Sequence, residues 1–307
     1  MNDGYEYAEQ VGLQAAGQSV LAYLARRYRH SEEVTWRARL GAGEVLVDGV
    51  PATAADVLRP GQRLVWRRPP WEEPPVPLAF ALLYRDDHLL AVAKPRGLPT
   101  IPNGGFLTHT LLHLVRRLFP EATPMHRLGR GTSGLVLFTR TPSARAAVAA
   151  AWRDRRVEKV YRARVAGVPA QRAFSIDAAI GLVPHPRLGK VHAAAGNGRP
   201  ALTHVRVLFA GSGDAVVEAS IVTGRPHQIR IHLAWAGHPL VGDPLYVRGG
   251  VPSSDPGLPG DPGYRLHAHR LALDHPVTGA RVALECAPPD DLREPWPSAG
   301  PSAGWGP

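Results

Sequence analysis

Hydrophobic and polar positions recur along this chain in two rhythms, one helical and one strand-like. In residues 19–29, Val20, Leu21, Leu24 and Tyr28 share one helical face, and Ser19 is placed to cap the first turn. Ser31 with Glu33 and Val34 opens a second helix, expected across 31–40. The rhythm then shortens. Residues 43–50 read as a strand ending in an Asp48-Gly49 turn, and 58–66 as a Pro60-Gly61 turn followed by a strand. Prolines crowd 69–77 and predict a stiff, extended linker there. Beyond it, 82–84 and 89–93 read as strands flanking Asp86-Asp87. Helices are expected over 107–118 and 143–152, the latter Ala-rich behind a Thr-Pro-Ser start. Leu135-Val136-Leu137-Phe138 has the unbroken apolar run of a buried strand. Residues 159–167 alternate like a strand, and 266–273 form a closing strand before a turn at 275–279.

These elements predict an α+β protein with a small unit over 1–68, a linker over 69–80 and a large domain over 81–287. Residues 247–264 are dense in Gly, Pro and Ser and are expected to be a mobile surface loop. Residues 288–307 have little to bury and are expected to be disordered.

Charge narrows the picture. The formal net charge is +10, and of 36 lysines and arginines only Lys94, Lys159 and Lys190 are lysine. Arginine donates two parallel hydrogen bonds to phosphate, so this excess points to a nucleic-acid partner. Cys286 is the only cysteine, which excludes an intrachain disulfide and a Cys-rich zinc site. The N-terminal residues lack the layout of a signal peptide, and no apolar run approaches the ~18 residues of a membrane span. A cytoplasmic protein without membrane contact is expected.

Candidate chemistry centres on residues 126–139. Gly129, Gly131 and Gly134 spell G-x-G-x-x-G, but a dinucleotide site needs a helix after that pattern, and here a strand follows. His227 and His232 are spaced like a ligand pair, yet there is no thiolate cluster and no His-Glu-x-x-His to complete a metal site.

His126-Arg127-Leu128 and Thr132-Ser133-Gly134 are similar to the signature loop of the RluA-type RNA pseudouridine synthases, whose usual form is His-Arg-Leu-Asp-x-x-Thr-Ser-Gly. The resemblance continues through Lys94-Pro95 with Gly97-Leu98, and through Lys159-Val160-Tyr161 to Gly167. It resumes at Thr223-Gly224-Arg225-Pro226-His227-Gln228-Ile229-Arg230-Ile231-His232, then Gly242-Asp243 with Tyr246. It covers about 82–287 strongly. Residues 19–68 are more loosely similar to the alpha-L RNA-binding module, with Arg26, Arg27, Arg29, Arg37 and Arg39 facing phosphate.

The resemblance implies the pseudouridine synthase fold, a mixed and mostly antiparallel sheet flanked by helices. It implies uridine isomerisation without cofactor or metal, with ribosomal RNA the first expected substrate and transfer RNA the second; the chain itself is expected to be a monomer. Tyr161 takes the place of the active-site tyrosine, and Arg230 that of the arginine paired with the catalytic aspartate. Gly129 stands where that aspartate is expected. Asp243 is the first candidate to replace it, ahead of Asp86, Asp87 and Glu158. The alternative is an inactive RNA-binding or RNA-remodelling protein of the same fold. Lys94, His126, Arg127, Arg130, Thr132, Ser133, Arg225, His227 and Gln228 complete the expected RNA contacts, with Arg26, Arg27 and Arg37 from the first unit.

Overall fold

The computed structural model describes residues 1–186, 188–253, 257 and 261–293. The chain divides into two compact units, Met1–Pro74 and Pro75–Pro307.

The first unit runs β1 (Tyr5–Gln10), α1 (Val20–Arg27), α2 (Glu33–Gly41), β2 (Val45–Val47), β3 (Val50–Pro51) and β4 (Arg63–Arg68). Its strands form an antiparallel sheet in the order β1-β4-β2-β3. The Ser19 hydroxyl accepts from the Ala22 N–H at 3.2 Å, as its position predicts. Asp48 and Gly49, both at positive φ (50° and 86°), make the two-residue hairpin between β2 and β3. Val20, Leu24, Trp36, Val45, Leu58 and Leu64 form the core.

β1 has no apolar stripe to announce it. Glu6 binds it to β4 through Arg63 (2.9 Å) and Arg67 (3.3 Å), and the Tyr7 ring stacks on Trp66. The proline tract is not a free linker at its start, because Glu73 is buried and accepts from the Asn2 amide at 2.9 Å. Arg26, Arg27, Arg29 and Arg37 are exposed. Arg39 is not a phosphate-facing residue: its guanidinium lies 4.5 Å from the Trp36 ring and 4.1 Å from the Trp66 ring.

The second unit begins with β5 (Ala81–Arg85), β6 (Leu89–Lys94), α3 (Leu111–Leu118), β7 (Thr123–Pro124), β8 (Ser133–Thr139), α4 (Pro142–Arg153) and β9 (Glu158–Ala166). It continues with β10 (Ala173–Ile176), β11 (Ile180–His185), β12 (Gly189–Ala194), β13 (Thr203–Ala210), β14 (Asp214–Ile221) and α5 (Gln228–Trp235). It closes with β15 (Tyr246–Val247), β16 (Val251–Pro252), β17 (Leu266–Asp274) and β18 (Arg281–Glu285). Among the described residues the main sheet is ordered β10-β13-β14-β9-β17-β8-β6-β5, with β18 on β17 and β7 on β8. Every pairing is antiparallel except β17 with β8. The expected α+β architecture with a mixed, mostly antiparallel sheet is the observed one.

β8 shows why its sequence is apolar without interruption. Leu135 and Leu137 face Val148 and Ala151 of α4, whereas Val136 and Phe138 face Leu111 and Val115 of α3. A strand covered on both faces needs no polar side. A third core packs Ile229 and Leu233 of α5 against Ala163, Val165, Val217 and Ala219 of the sheet. At the parallel junction, a Cβ on Gly134 would lie 2.3 Å from the Ala268 carbonyl oxygen, so only glycine lets β8 and β17 approach. No described helix is long and apolar enough to cross a membrane.

Two expectations need correction. Residues 288–293 are not structureless: Leu292 is fully buried, and Asp291 pairs with Arg96 (3.5 Å) and Arg265 (2.8 Å). The rest of that tail, 294–307, lies outside the described residues. Within 247–264, β15 pairs with β16 and Tyr264 is 1% exposed, so this tract is not wholly a surface loop.

Buried His267 sets an acid limit on stability. Its Nε2–H donates to the Cys286 carbonyl (3.0 Å), and its Nδ1 accepts from Ser133 (2.9 Å). Burial pushes its pKa from 6.5 down to about 4, only partly opposed by the Cys286 bond. The unfolded chain therefore takes up this proton first as pH falls. The stabilisation is complete above pH 6.5 and is lost through the window down to 4. Between pH 7 and 5 the folded state should lose roughly 1–2 kcal/mol through this residue. Urea unfolding at both pH values tests it, with His267→Gln expected to shrink the difference by that amount.

Candidate active site

Residues 126–134 form a loop held from behind and open in front. His126 Nε2 accepts from the Leu137 N–H at 3.0 Å, and its ring stacks on Trp152. Burial pushes its pKa down to about 4, so it is neutral at pH 7 and anchors the loop instead of binding RNA. Lys94 is also a strut. Its Nζ donates to the carbonyls of Leu98 (2.6 Å), Pro95 (3.0 Å) and Arg130 (3.3 Å), and it is 1% exposed. Burial, and then the charge of Arg96, lowers its pKa to about 7. Ser133 and Thr132 are buried and face His267 and Tyr264. Arg130 pairs with Asp261 at 3.1 Å. Arg127 and Gly129 are exposed.

The opposite wall is α5 and the turn that opens it. His227 caps the helix in the left-handed region at φ 57°. The Tyr246 hydroxyl donates to the His192 carbonyl, so His227 Nδ1 carries the proton and donates to that hydroxyl oxygen at 2.8 Å. Burial and the nearby Arg230 cation press the His227 pKa down to about 4, and Arg127 contributes in the same direction. Gln228 is a closed internal strut, not an RNA contact. It accepts from Thr223 and from the Arg225 N–H, and donates to the Leu202 carbonyl and Thr203. His232 is buried against Thr203 and Ala178, so it shares no metal position with His227. Arg225 is half-buried, with Nε on the Pro200 carbonyl. It lines a cleft of about 560 Å³ with Leu182, His192 and Arg199.

Arg230 and Asp243 form the electrostatic centre. Two parallel bonds of 2.7 Å join them, and their side chains are 3% and 1% exposed. The same Asp243 also accepts from the N–H groups of Leu245 (2.9 Å) and Tyr246 (3.0 Å). Burial alone would make Arg230 easier to deprotonate, but the Asp243 bonds more than offset it and hold the guanidinium charged. Arg230 therefore does not face an empty anion position. Asp243 is held by four N–H donors and takes the place beside Arg230 that was expected of a carboxylate at position 129. Asp86 is bound to Tyr84 and His275 at the turn before β6, and Glu158 is exposed and paired with Arg281. β6 separates Asp86 and Asp87 from Lys94 by roughly 20 Å at strand rise.

A residue missed by sequence reasoning joins the two walls. Tyr264 lies with its ring 4.2 Å from the Arg230 guanidinium and its hydroxyl 3.2 Å from Thr132 Oγ1. A Cβ on Gly129 would come within 2.7 Å of that hydroxyl, and one on Gly131 within 2.8 Å of the ring. The G-x-G spacing thus makes room for a tyrosine, not for a pyrophosphate. Tyr161 packs on both sides of the junction, with Leu128 and Ala268 in one cluster and Tyr264 and Leu266 in the other. Burial raises its pKa to about 12, which keeps its phenol neutral. Gly129, Thr132 and Arg230 therefore converge on Tyr264, and Tyr161 packs against the same core cluster.

A model of the RNA pseudouridylate synthase family matches residues 88–235. An uncharacterised RNA pseudouridine synthase of Synechocystis sp. is 40% identical over 90% of this chain and 96% of its own. Ribosomal large subunit pseudouridine synthase D of Neisseria meningitidis serogroup A is 35% identical over 92% of this chain and 79% of its own. Among solved structures, human RNA pseudouridylate synthase domain containing 1 superposes with a TM-score of 0.54 at 27% identity, covering 71% of this chain and 86% of that one. The chain belongs to the RNA pseudouridylate synthase family, an isomerase family, and its central sheet is that fold. These relatives are named as synthases, which supports the enzyme and not the inactive binding protein.

Proposed function

We propose that the protein isomerises uridine in structured ribosomal RNA, at the junction of Arg127, Tyr161, Arg230 and Tyr264. Gly129 stands there in the place of the family's catalytic aspartate. The supporting observation is the convergence itself. The signature loop exposes Arg127, and the buried, charged Arg230 guanidinium lies over the Tyr246 and Tyr264 rings. A uridine flipped out of its stack needs such a setting. Tyr161 supplies a neutral surface for the uracil, and Arg230 stabilises negative charge on the base as N1–C1′ breaks. Arg127 clamps the backbone or fills the space the base leaves. His126, Lys94 and Gln228 act from behind by fixing the walls. Arg26, Arg27 and Arg37 add phosphate contacts in the first unit. Ribosomal RNA is favoured because relatives such as the Neisseria protein are named for it.

Tritium release from C5-labelled uridine, measured separately on ribosomal and transfer RNA, tests the reading. Release from transfer RNA alone would refute the ribosomal assignment. Binding should weaken with salt, log K falling by roughly 0.7 per neutralised phosphate against log salt. Arg127→Ala should cut kcat/KM by roughly 10–100-fold, the scale of a few kcal/mol of base flipping, without changing the melting temperature. A lower melting temperature with unchanged kcat/KM would make Arg127 structural.

A further inference from the structure

We propose that the hydroxyl of Tyr264 supplies the reacting oxygen of this site, doing the work of the absent carboxylate at position 129. The inference rests on the function proposed above and deepens it. Three observations carry it, and each concerns a different property of the residue.

The first is space. A side chain at position 129 would begin 2.7 Å from the Tyr264 hydroxyl, closer than a carbon and an oxygen can sit. Tyr264 as placed and an aspartate at 129 exclude one another, so glycine and phenol form one solution to the same volume. Gly129 is exposed and Tyr264 is buried, so the hydroxyl lies one layer beneath the loop surface, covered there by a residue with no side chain.

The second is charge. The Arg230 guanidinium lies 4.2 Å from the ring centroid, over the electron-rich face of the phenol, and fixes the ring in place. Asp243 holds that cation in position through its two 2.7 Å bonds. A fixed charge close to the reacting group steadies the charge that develops there in the transition state.

The third is the position of the other acids. Asp243 is engaged by four donors, and Asp86 and Glu158 are bound elsewhere. Asp261 comes near the signature loop but pairs with Arg130. The Tyr264 oxygen is the group the loop closes upon.

Phenol oxygens do serve as nucleophiles at anomeric carbons in some glycosidases. Here the Tyr264 oxygen bonds to C1′ as N1–C1′ breaks. The electron pair stays on the uracil, whose N1 receives the phenolic proton. The base turns, and C5 attacks C1′ while the phenol oxygen leaves. That oxygen takes the proton lost from C5. The uridine gains an N1–H, loses its C5–H, and no other reactant is consumed.

Tyr264→Phe removes one oxygen and keeps the ring on Arg230. In the tritium-release assay on ribosomal RNA it should lower turnover by roughly 10³-fold or more, the scale of losing a nucleophile. Thr132→Val removes the same hydrogen bond but keeps the phenol, and should cost less than roughly tenfold, as befits one hydrogen bond. Asp261→Asn should stay within roughly threefold, the cost of a half-buried pair at the surface. Tyr264→Phe retaining more than a tenth of wild-type turnover would overturn the assignment. So would a Thr132→Val loss as deep as that of Tyr264→Phe, which would make the phenol a loop anchor, or abolition by Asp261→Asn. Wild type that releases no tritium from any RNA overturns the site reading itself. An active wild type beside an equally active Tyr264→Phe sinks only the role of Tyr264.

Discussion

Asp243→Asn should lower the melting temperature by roughly 6–20 °C. That range follows from roughly 3–5 kcal/mol for breaking one side of a buried ion pair, at roughly 2–4 °C per kcal/mol for a unit of this size. Arg230 and Asp243 are 3% and 1% exposed at the side chain, so losing the carboxylate strands a guanidinium away from water. The retained amide oxygen can still accept from the N–H groups of Leu245 and Tyr246, but the new amide N–H2 meets an Arg230 N–H, donor against donor. Thermal unfolding followed by circular dichroism measures the loss. Activity should fall with it, because Arg230 is no longer held against the Tyr264 ring. An Asp243→Asn protein that melts like the wild type yet is inert would instead make Asp243 a reacting carboxylate.

That pair also shows where sequence reading stops. The motif around Arg230 and the Gly242-Asp243 step are both legible, but spacing does not say that the two side chains meet. The expected partner of Arg230 was position 129, and the structure gives it Asp243. Residue type misleads in a similar way for Lys94 and His126. Both are basic and lie in or near the signature loop, so both read as RNA contacts. Their environment decides otherwise, since three carbonyls surround the Lys94 ammonium and Trp152 covers the His126 ring.

Patterns that report burial survive the comparison better. The unbroken run in β8 was legible because each face of the strand meets a different helix, and no polar residue is tolerated on either. Helix starts at Ser19 and Thr141 were legible because a hydroxyl before an apolar face has one local use; Ser19 and Thr141 accept from the N–H groups of Ala22 and Ala144. Thr110 does the same for His113, which is why α3 begins at Leu111 and not at 107. β1 was not legible, since its hold on β4 comes from Glu6 with Arg63 and Arg67 rather than from an apolar stripe. Tyr264 was hidden by its neighbours. A tract rich in Gly, Pro and Ser reads as surface, and only the paired absence of side chains at Gly129 and Gly131 marks the place its ring fills.

A reversal of sign is expected between two backgrounds on the Gly129–Tyr264 contact. Gly129 is not among the positive-φ residues, so its backbone accepts a side chain. The obstacle is the Tyr264 hydroxyl 2.7 Å from the new Cβ. In the wild-type background Gly129→Asp should therefore push the phenol aside and lower turnover, although it restores the family's aspartate. In the Tyr264→Phe background the hydroxyl is gone, and the same Gly129→Asp places a carboxylate in the vacated volume beside Arg230. Turnover of the double variant should rise at least roughly tenfold above Tyr264→Phe alone, a coupling of the size that residues in direct contact display. Tritium release from the four proteins, with melting temperatures as the control for folding, completes the cycle. If Gly129→Asp raises turnover in wild type and Tyr264→Phe has no bearing on it, the two positions act independently, and the phenol does not stand in for the carboxylate.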